Sequence, residues 1–519
     1  MTTQSRTGSP ADARTVRTGQ GEVAGARHEG FTVFRGVPYA APPVETGRFA
    51  APQPHAPWKG VRDATTAGPT APQAERKLGA IDMSPYFGPG WLPGDDYLTL
   101  DIWAPDRPAR RGRTPSQDQK PEQHQALPVM VFVHGGGFVA GSTRASLYDG
   151  TAFARSGVVL VTVNYRLGIS GFLDLPGAPR NRGLLDILAA LRWVRENIAE
   201  FGGDPGQVTL FGQSAGATLT GAVIAAPESR GLLRRAIIQS GSGLGAFSTE
   251  QAARVTKAAT AALGIAPDVD AFEEVSDARL VGAVARLGGI DLRTTTAYDP
   301  LIGLSPFSVV ADRQPADAIA AGADSADVDL LIGTNADEGS LYLVPSGAYA
   351  ASTTADVRAA AERSHPDPDL LVDTYRAAHP GASPGQLRSA VMGDALFGNG
   401  SWALADAHAD RSSGTTYSYR FDWRSPALDG LLGATHTTEL PFVFGLDPAR
   451  PGGFGSLFGP GSPPPDLAPR MHAAWIRFAR HGDPGWAPYD TRHRITTVID
   501  RRWTVHEDPR GDVRRVWRR

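Results

Sequence analysis

Residues 208–219 read VTLFGQSAGATL. The first four are apolar or β-branched and read as a buried strand, yet the run stops on a small polar residue, Ser214, between Gly212 and Gly216, and an apolar stretch resumes at once. In an open α/β sheet, functional groups collect at the carboxyl ends of the strands. Gly212-Gln213-Ser214-Ala215-Gly216 reads as a strand-to-helix turn too tight for bulky side chains at either glycine. Such a turn thrusts one hydroxyl clear of the backbone, beside the amide hydrogens and positive dipole end of the helix that follows. In a chain with 60 glycines the pentapeptide alone carries little weight; its place after VTLF and before an apolar helix makes Ser214 a candidate nucleophile.

The flanking sequence supports that placement. LPVMVFVHGG from Leu127 and VVLVTVNYRL from Val158 are continuous apolar strands, the pattern of a sheet covered on both faces. Between them and VTLF, Leu184, Ile187, Leu188, Leu191, Val194 and Ile198 recur at helical spacing, predicting a crossover helix. Later strands are read at AIIQS and DVDLLIGT, and residues 249–297 and 351–412 read as alanine-rich helical excursions. The first hundred residues alternate short β-like pieces with Pro/Gly-rich connections, an antiparallel flank. The expected fold class is therefore α/β, with a large, mostly parallel sheet and helices on both faces.

The 519 residues are 41% hydrophobic and 20% charged, a composition able to bury a large core. We expect residues 1–13 to be a flexible N-terminus, residues 14–519 to form a single domain, and the polar, proline-containing stretch near 106–126 to be a mobile surface loop. A net charge of −3 with dispersed arginines argues against a nucleic-acid partner. The basic end, DPRGDVRRVWRR, reads as a solvated terminus. No apolar run is long enough for a membrane span and the N-terminus lacks the apolar core of a secretory signal. The absence of cysteine excludes disulfides, thiolate metal sites and cysteine nucleophiles, and fits a cytoplasmic location. A monomer is the expected state.

A serine hydroxyl is a poor nucleophile at neutral pH and needs a base, a group that orients the base, and donors for an oxyanion. His134-Gly135-Gly136-Gly137-Phe138, directly after a buried strand, can turn main-chain N–H groups into a cavity, and the amide of Ala215 can join them.

At this point the sequence resembles the type-B carboxylesterase family of the α/β-hydrolase fold, from about Arg14 nearly to the end. The block around the nucleophile, FGGDPGQVTLFGQSAG (201–216), stands unbroken. FRGVPYAAPP, HGGGF, NYRLGISGF, AIIQSGS, LLIGTNADEGS, GATHTTELPFVFG and WIRFARHGDP follow the family's order. The resemblance implies Ser214 as nucleophile, Glu338 as the acid, with Asp337 its adjacent decoy, and His436 as the base, with His472 and His481 structural. It also implies oxyanion donors at Gly136, Gly137 and Ala215, a scaffold role for His134, and Ser240 as a supporting hydrogen bond. Phe138, Phe87 and Trp91 are expected at the substrate pocket. No metal or cofactor is implied.

Two departures from the family stand out. Relatives often carry a disulfide where this chain has Ala71 and Tyr97, so the loop between them is expected to be more mobile. Many relatives have glutamate where this chain has Gln213, which removes a negative charge beside the serine and weakens the case for a cationic substrate. The function implied is hydrolysis of small carboxylic esters, of short-to-medium acyl or aromatic type, through an acyl-enzyme. Amide or carbamate hydrolysis on the same machinery is the alternative, and a non-catalytic adhesion protein a more remote one.

Overall fold

A computed structural model describes residues 13–106, 126–323, 327–446 and 457–518. The expected flexible N-terminus and most of the polar loop near 106–126 lie outside these residues. The strands are β1 (Ala13–Arg17), β2 (Glu22–His28), β3 (Phe31–Pro38), β4 (Val61–Asp63), β5 (Thr99–Pro105), β6 (Leu127–Val133) and β7 (Val159–Val163). They continue with β8 (Gly203–Gln213), β9 (Arg235–Gln239), β10 (Asp329–Asn335), β11 (Thr416–Phe421), β12 (Ile495–Ile499) and β13 (Thr504–Glu507). All join one sheet in the order β1-β2-β3-β5-β7-β6-β8-β9-β10-β11-β12-β13, with β4 beside β2.

β1, β2, β3, β5 and β7 pair antiparallel, the flank expected from the hairpin-like opening. From β7 through β12 every pairing is parallel, in register such as Val131 opposite Leu210. The continuous apolar runs of β6 to β8 have the physical reason anticipated: alternate side chains enter separate cores on the two faces. Val129, Val131 and Val133 pack with Leu188, Leu191 and Val194 of the crossover helix Arg182–Asn197. Met130 and Phe132 pack on the other face with Met471, Trp475 and Phe478 of the helix Leu467–His481.

The two excursions are helical as expected. The second contains one irregularity, a π-helical turn at Asp394–Gly398 between the helices Pro384–Gly393 and Asn399–Arg411. Such single turns often mark functional positions because they re-aim side chains off the regular helix path.

The C-terminal end is not a solvated tail. Gly511–Trp517 is helical, and Val513, Val516 and Trp517 pack against Leu371, Val372 and Tyr375. The i, i+3, i+4 spacing of these three residues makes an apolar stripe that the surrounding arginines obscure in composition. Arg510 makes two 2.7 Å hydrogen bonds to Asp394, tying the tail to the π-helical turn. Among the described residues, no helix is long and apolar enough to cross a membrane.

Candidate active site

β8 ends on Gln213 and the helix Ala215–Ala225 begins one residue later, so the whole turn rests on Ser214, at φ 57° and ψ −124°. A non-glycine residue with this conformation is strained, and only tightly fixed surroundings hold it. Those surroundings explain both glycines. A β-carbon on Gly212 would lie 2.4 Å from the Gly216 carbonyl oxygen, and one on Gly216 would lie 2.1 Å from that of Val133. The turn is thereby locked against the end of β6.

The loop after β6 sits directly beside it: a β-carbon on Gly135 would approach Ser214 Cβ to 3.1 Å. Gly136, Gly137 and Phe138 have φ of 117°, 63° and 65°. The loop's carbonyls are held by neighbours, Gly136 O by Arg76 Nη1 at 2.8 Å and Gly137 O by Ser305 Oγ at 2.7 Å. The N–H groups of Gly136 and Gly137 donate to no protein acceptor among the described residues, and Ala215, first in its helix, has no intrahelical acceptor. Three residues of the cavity lining thus have amide hydrogens with no protein acceptor. His134 lies behind this loop, stacked on Tyr165 at 4.5 Å with Nδ1 2.8 Å from Gly135 O. Burial pulls its pKa down to about 4, so the ring is neutral, in keeping with a scaffold role.

Glu338 follows β10 on a turn that faces it inward, whereas Asp337 turns outward to pair with Arg424 at 2.7 Å and to accept from Ala434 N. Glu338 Oε2 is 2.6 Å from His436 Nδ1. Its Oε1 accepts from Asn335 N at 2.7 Å and from Ser240 Oγ at 2.5 Å, the Ser240 contact being a hydrogen bond to the carboxylate expected to be the acid. The His436 ring is stacked face to face on Phe397 at 4.3 Å. Nδ1–H donates to Glu338, and the Gln213 amide nitrogen lies 3.2 Å from Nε2 and 3.5 Å from Nδ1, off the in-plane direction of the Nε2 lone pair. Ser214 and His436 line one cavity, but among the described residues Ser214 Oγ is not hydrogen-bonded to the ring. His472 bonds Val443 O and Ser156 Oγ, and His481 ends its helix at the surface, so neither reaches the cavity.

The cavity is walled by Phe87, Phe138, Leu301, Leu304, Tyr342 and Phe397 among others. Phe87 and Phe138 are where the sequence placed them. Trp91 is not: it lies off the wall. Gly88 and Gly90, at φ 81° and 79°, turn the chain, and Thr70 then bonds Gly90 O and Leu92 N to hold the following segment away. Ala71 and Tyr97 are buried in apolar core, and the loop between them is closed by such hydrogen bonds in place of a disulfide.

Four contributors went unread in the sequence: Arg76, Tyr342, Phe397 and Glu439. Phe397 lies in the π-helical turn, which carries no sequence signal. Glu439, three residues after His436, is fully buried and accepts from Asn335 Nδ2 at 2.6 Å and from Gln239 Nε2 at 3.3 Å. Burial, then repulsion from Glu338, pushes its pKa up to about 7. A polar residue on the short, otherwise apolar run ELPFVF was the available hint.

Among the described residues no group of metal-ligating side chains could hold an ion. The model of the carboxylesterase family matches residues 12–509. The para-nitrobenzyl esterase of Bacillus subtilis is 35% identical over 96% of this chain and 97% of its own. The phenmedipham hydrolase of Pseudarthrobacter oxydans is 35% identical over 90% of each. The crystal structure of a carboxylesterase from Geobacillus stearothermophilus superposes with a TM-score of 0.81 at 33% identity, covering 97% of this chain and 99% of that one. Likeness of this extent, in sequence and in the α/β-hydrolase architecture alike, means that the chain belongs to the carboxylesterase family and is a serine hydrolase of carboxylic esters.

Proposed function

We propose that this carboxylesterase uses Ser214 as nucleophile, His436 as general base and acid, and Glu338 as the group that orients and stabilises the imidazole. The observation that carries the assignment is the 2.6 Å contact of His436 with Glu338 on the wall of the cavity into which the strained Ser214 opens. On binding of an ester, the serine hydroxyl closes onto His436 Nε2, the tightening that catalytic hydrogen bonds commonly undergo on forming the substrate complex. The hydroxyl attacks the carbonyl as its proton passes to Nε2. The amides of Gly136, Gly137 and Ala215 receive the oxyanion, a single such donor being worth about 3 kcal/mol of barrier. His436 returns the proton to the leaving alcohol, and water, activated by the same ring, releases the acid.

The apolar, aromatic wall favours compact esters with an aryl or short-to-medium aliphatic portion. That two relatives are named for a para-nitrobenzyl esterase and a phenmedipham hydrolase supports small substrates with an apolar body.

The test is covalent labelling with a fluorophosphonate followed by peptide mapping, together with Ser214→Ala. The added mass is expected on the peptide containing Ser214, and kcat for an aryl ester is expected to fall by about five orders of magnitude or more. Label on another serine, or near-normal turnover by the variant, refutes the assignment. Matched aryl ester and anilide substrates separate esterase from amidase, the ester being expected to react far faster.

A further inference from the structure

Arg76 is the one arginine or lysine among the residues that line the active-site cavity, and no aspartate or glutamate lines it. Among the described residues its guanidinium has no carboxylate within ion-pair distance, in contrast to the buried Arg166, which is paired with Asp186 at 2.6 Å. One Nη1 hydrogen goes to Gly136 O at 2.8 Å, and the group lies 5.6 Å over the Phe87 ring. A guanidinium has five N–H donors, so most of its capacity is unused. Desolvation draws its pKa below the ordinary arginine value, and the Tyr342 hydroxyl works in the opposite direction. An arginine stays charged in proteins, and a desolvated charge without a partner is costly. The neighbouring Gln213 carries no charge and Glu338 is screened behind the His436 ring, so nothing else in the cavity offsets the cation.

We propose that Arg76 is a specificity residue for esters that carry a free carboxylate, such as monoesters of dicarboxylic acids, and that it binds this carboxylate through its unoccupied N–H groups. The proposal rests on the esterase assignment above and deepens it. Because Arg76 already holds the carbonyl of Gly136, a carboxylate bound to it lies beside the oxyanion donors, joined to the scissile carbonyl by a short spacer. The apolar wall receives the rest of the molecule. The bond cleaved and the mechanism are unchanged; what the charge adds is selection, since a partly buried guanidinium that gains a carboxylate partner favours the anionic ester over a neutral one.

The experiment compares kcat/KM for para-nitrophenyl hydrogen adipate and its neutral counterpart, para-nitrophenyl methyl adipate, in wild type, R76Q and R76K. The ratio of anionic to neutral ester is the readout, so a general loss caused by disturbing the Gly136 loop cancels. The ratio is expected to fall by about tenfold to a hundredfold in R76Q, the range for one charge-assisted hydrogen-bonding site, and to recover in part in R76K. An unchanged ratio in R76Q, whatever the absolute rates, overturns the proposal. Calorimetric titration with the non-hydrolysable ketone 6-oxoheptanoate and its neutral counterpart 2,7-octanedione gives a second readout independent of turnover. Preference for the monoanion that disappears in R76Q supports the carboxylate site even if Ser214 were not the nucleophile; equal binding of both compounds by wild type overturns it.

Discussion

Replacing Gly216 with alanine tests the turn that the whole site depends on. Gly216 has no positive φ, so alanine suits its backbone, and at an ordinary helical position the exchange would stabilise by up to about 1 kcal/mol. The obstacle is steric. The new β-carbon would meet the carbonyl oxygens of Val133 and His134 at 2.1 and 2.6 Å, both backbone atoms at the end of β6. Since real β-carbons essentially never come closer than 3.0 Å, the helix start and the β6 terminus must separate by at least 0.9 Å along the shorter contact. One side of that gap carries Ser214 and Ala215 and the other the loop of Gly136 and Gly137, so the hydroxyl moves away from two of the three proposed donors. Misplacement by about 1 Å costs roughly a hundredfold in rate, and overpacking costs about 1–3 kcal/mol of stability. Gly221, on the same helix, is the control: a β-carbon there finds only Leu404 and Ile238 side chains at 3.5 and 3.7 Å. The assay is kcat on an aryl ester with the urea midpoint measured alongside. G216A is expected to lose about a hundredfold in kcat and to unfold at lower urea, while G221A keeps its activity and unfolds at equal or higher urea. If G216A keeps kcat within a few-fold of wild type and its urea midpoint, the claim that the turn is locked by backbone contact fails.

Two further outcomes follow from buried groups the sequence did not reveal. Glu439 has its pKa raised from about 4.5 to about 7, so the folded protein holds a proton there that the unfolded chain releases. The associated stability is complete below the unfolded value and is lost as pH rises towards the folded one, by up to roughly 3 kcal/mol. The unfolding free energy of wild type relative to E439Q is therefore expected to decline between about pH 5 and about pH 7.5 and then level off; a constant difference across that range contradicts the burial argument. Trp517 packs in the Leu371–Tyr375 cluster and donates to Tyr375 OH at 2.9 Å. Trp517→Ala should cost about 3 kcal/mol in urea unfolding, where a solvated tail would show no change.

The parts of the fold that were legible share one property: each is written in contiguous residues. Uninterrupted runs such as VMVFV and VVLVTV state that a strand is covered on both faces, because any exposed face would require polar residues at alternate positions. Gly212 and Gly216 flank Ser214 at a fixed offset because neighbouring backbone excludes larger residues there, that of the turn itself at Gly212 and that of the β6 end at Gly216. The acid and base were not legible on that basis. Choosing Glu338 over Asp337, and His436 over His472 and His481, depended on resemblance to relatives, since nothing local distinguishes adjacent carboxylates or isolated imidazoles.

What the sequence by itself determined, then, is the sheet, its crossover helix and the residue at which β8 must break. Tertiary structure alone decided which groups meet there. Arg76 and Phe397 reach the cavity from a loop and a π-helical turn far apart in the chain, and Trp91, close to Phe87 in sequence, is carried off the wall by two glycine turns. The reason is physical: backbone pattern is set by neighbours within a few residues, whereas the solvation and charge of a side chain are set by whatever distant atoms surround it after packing.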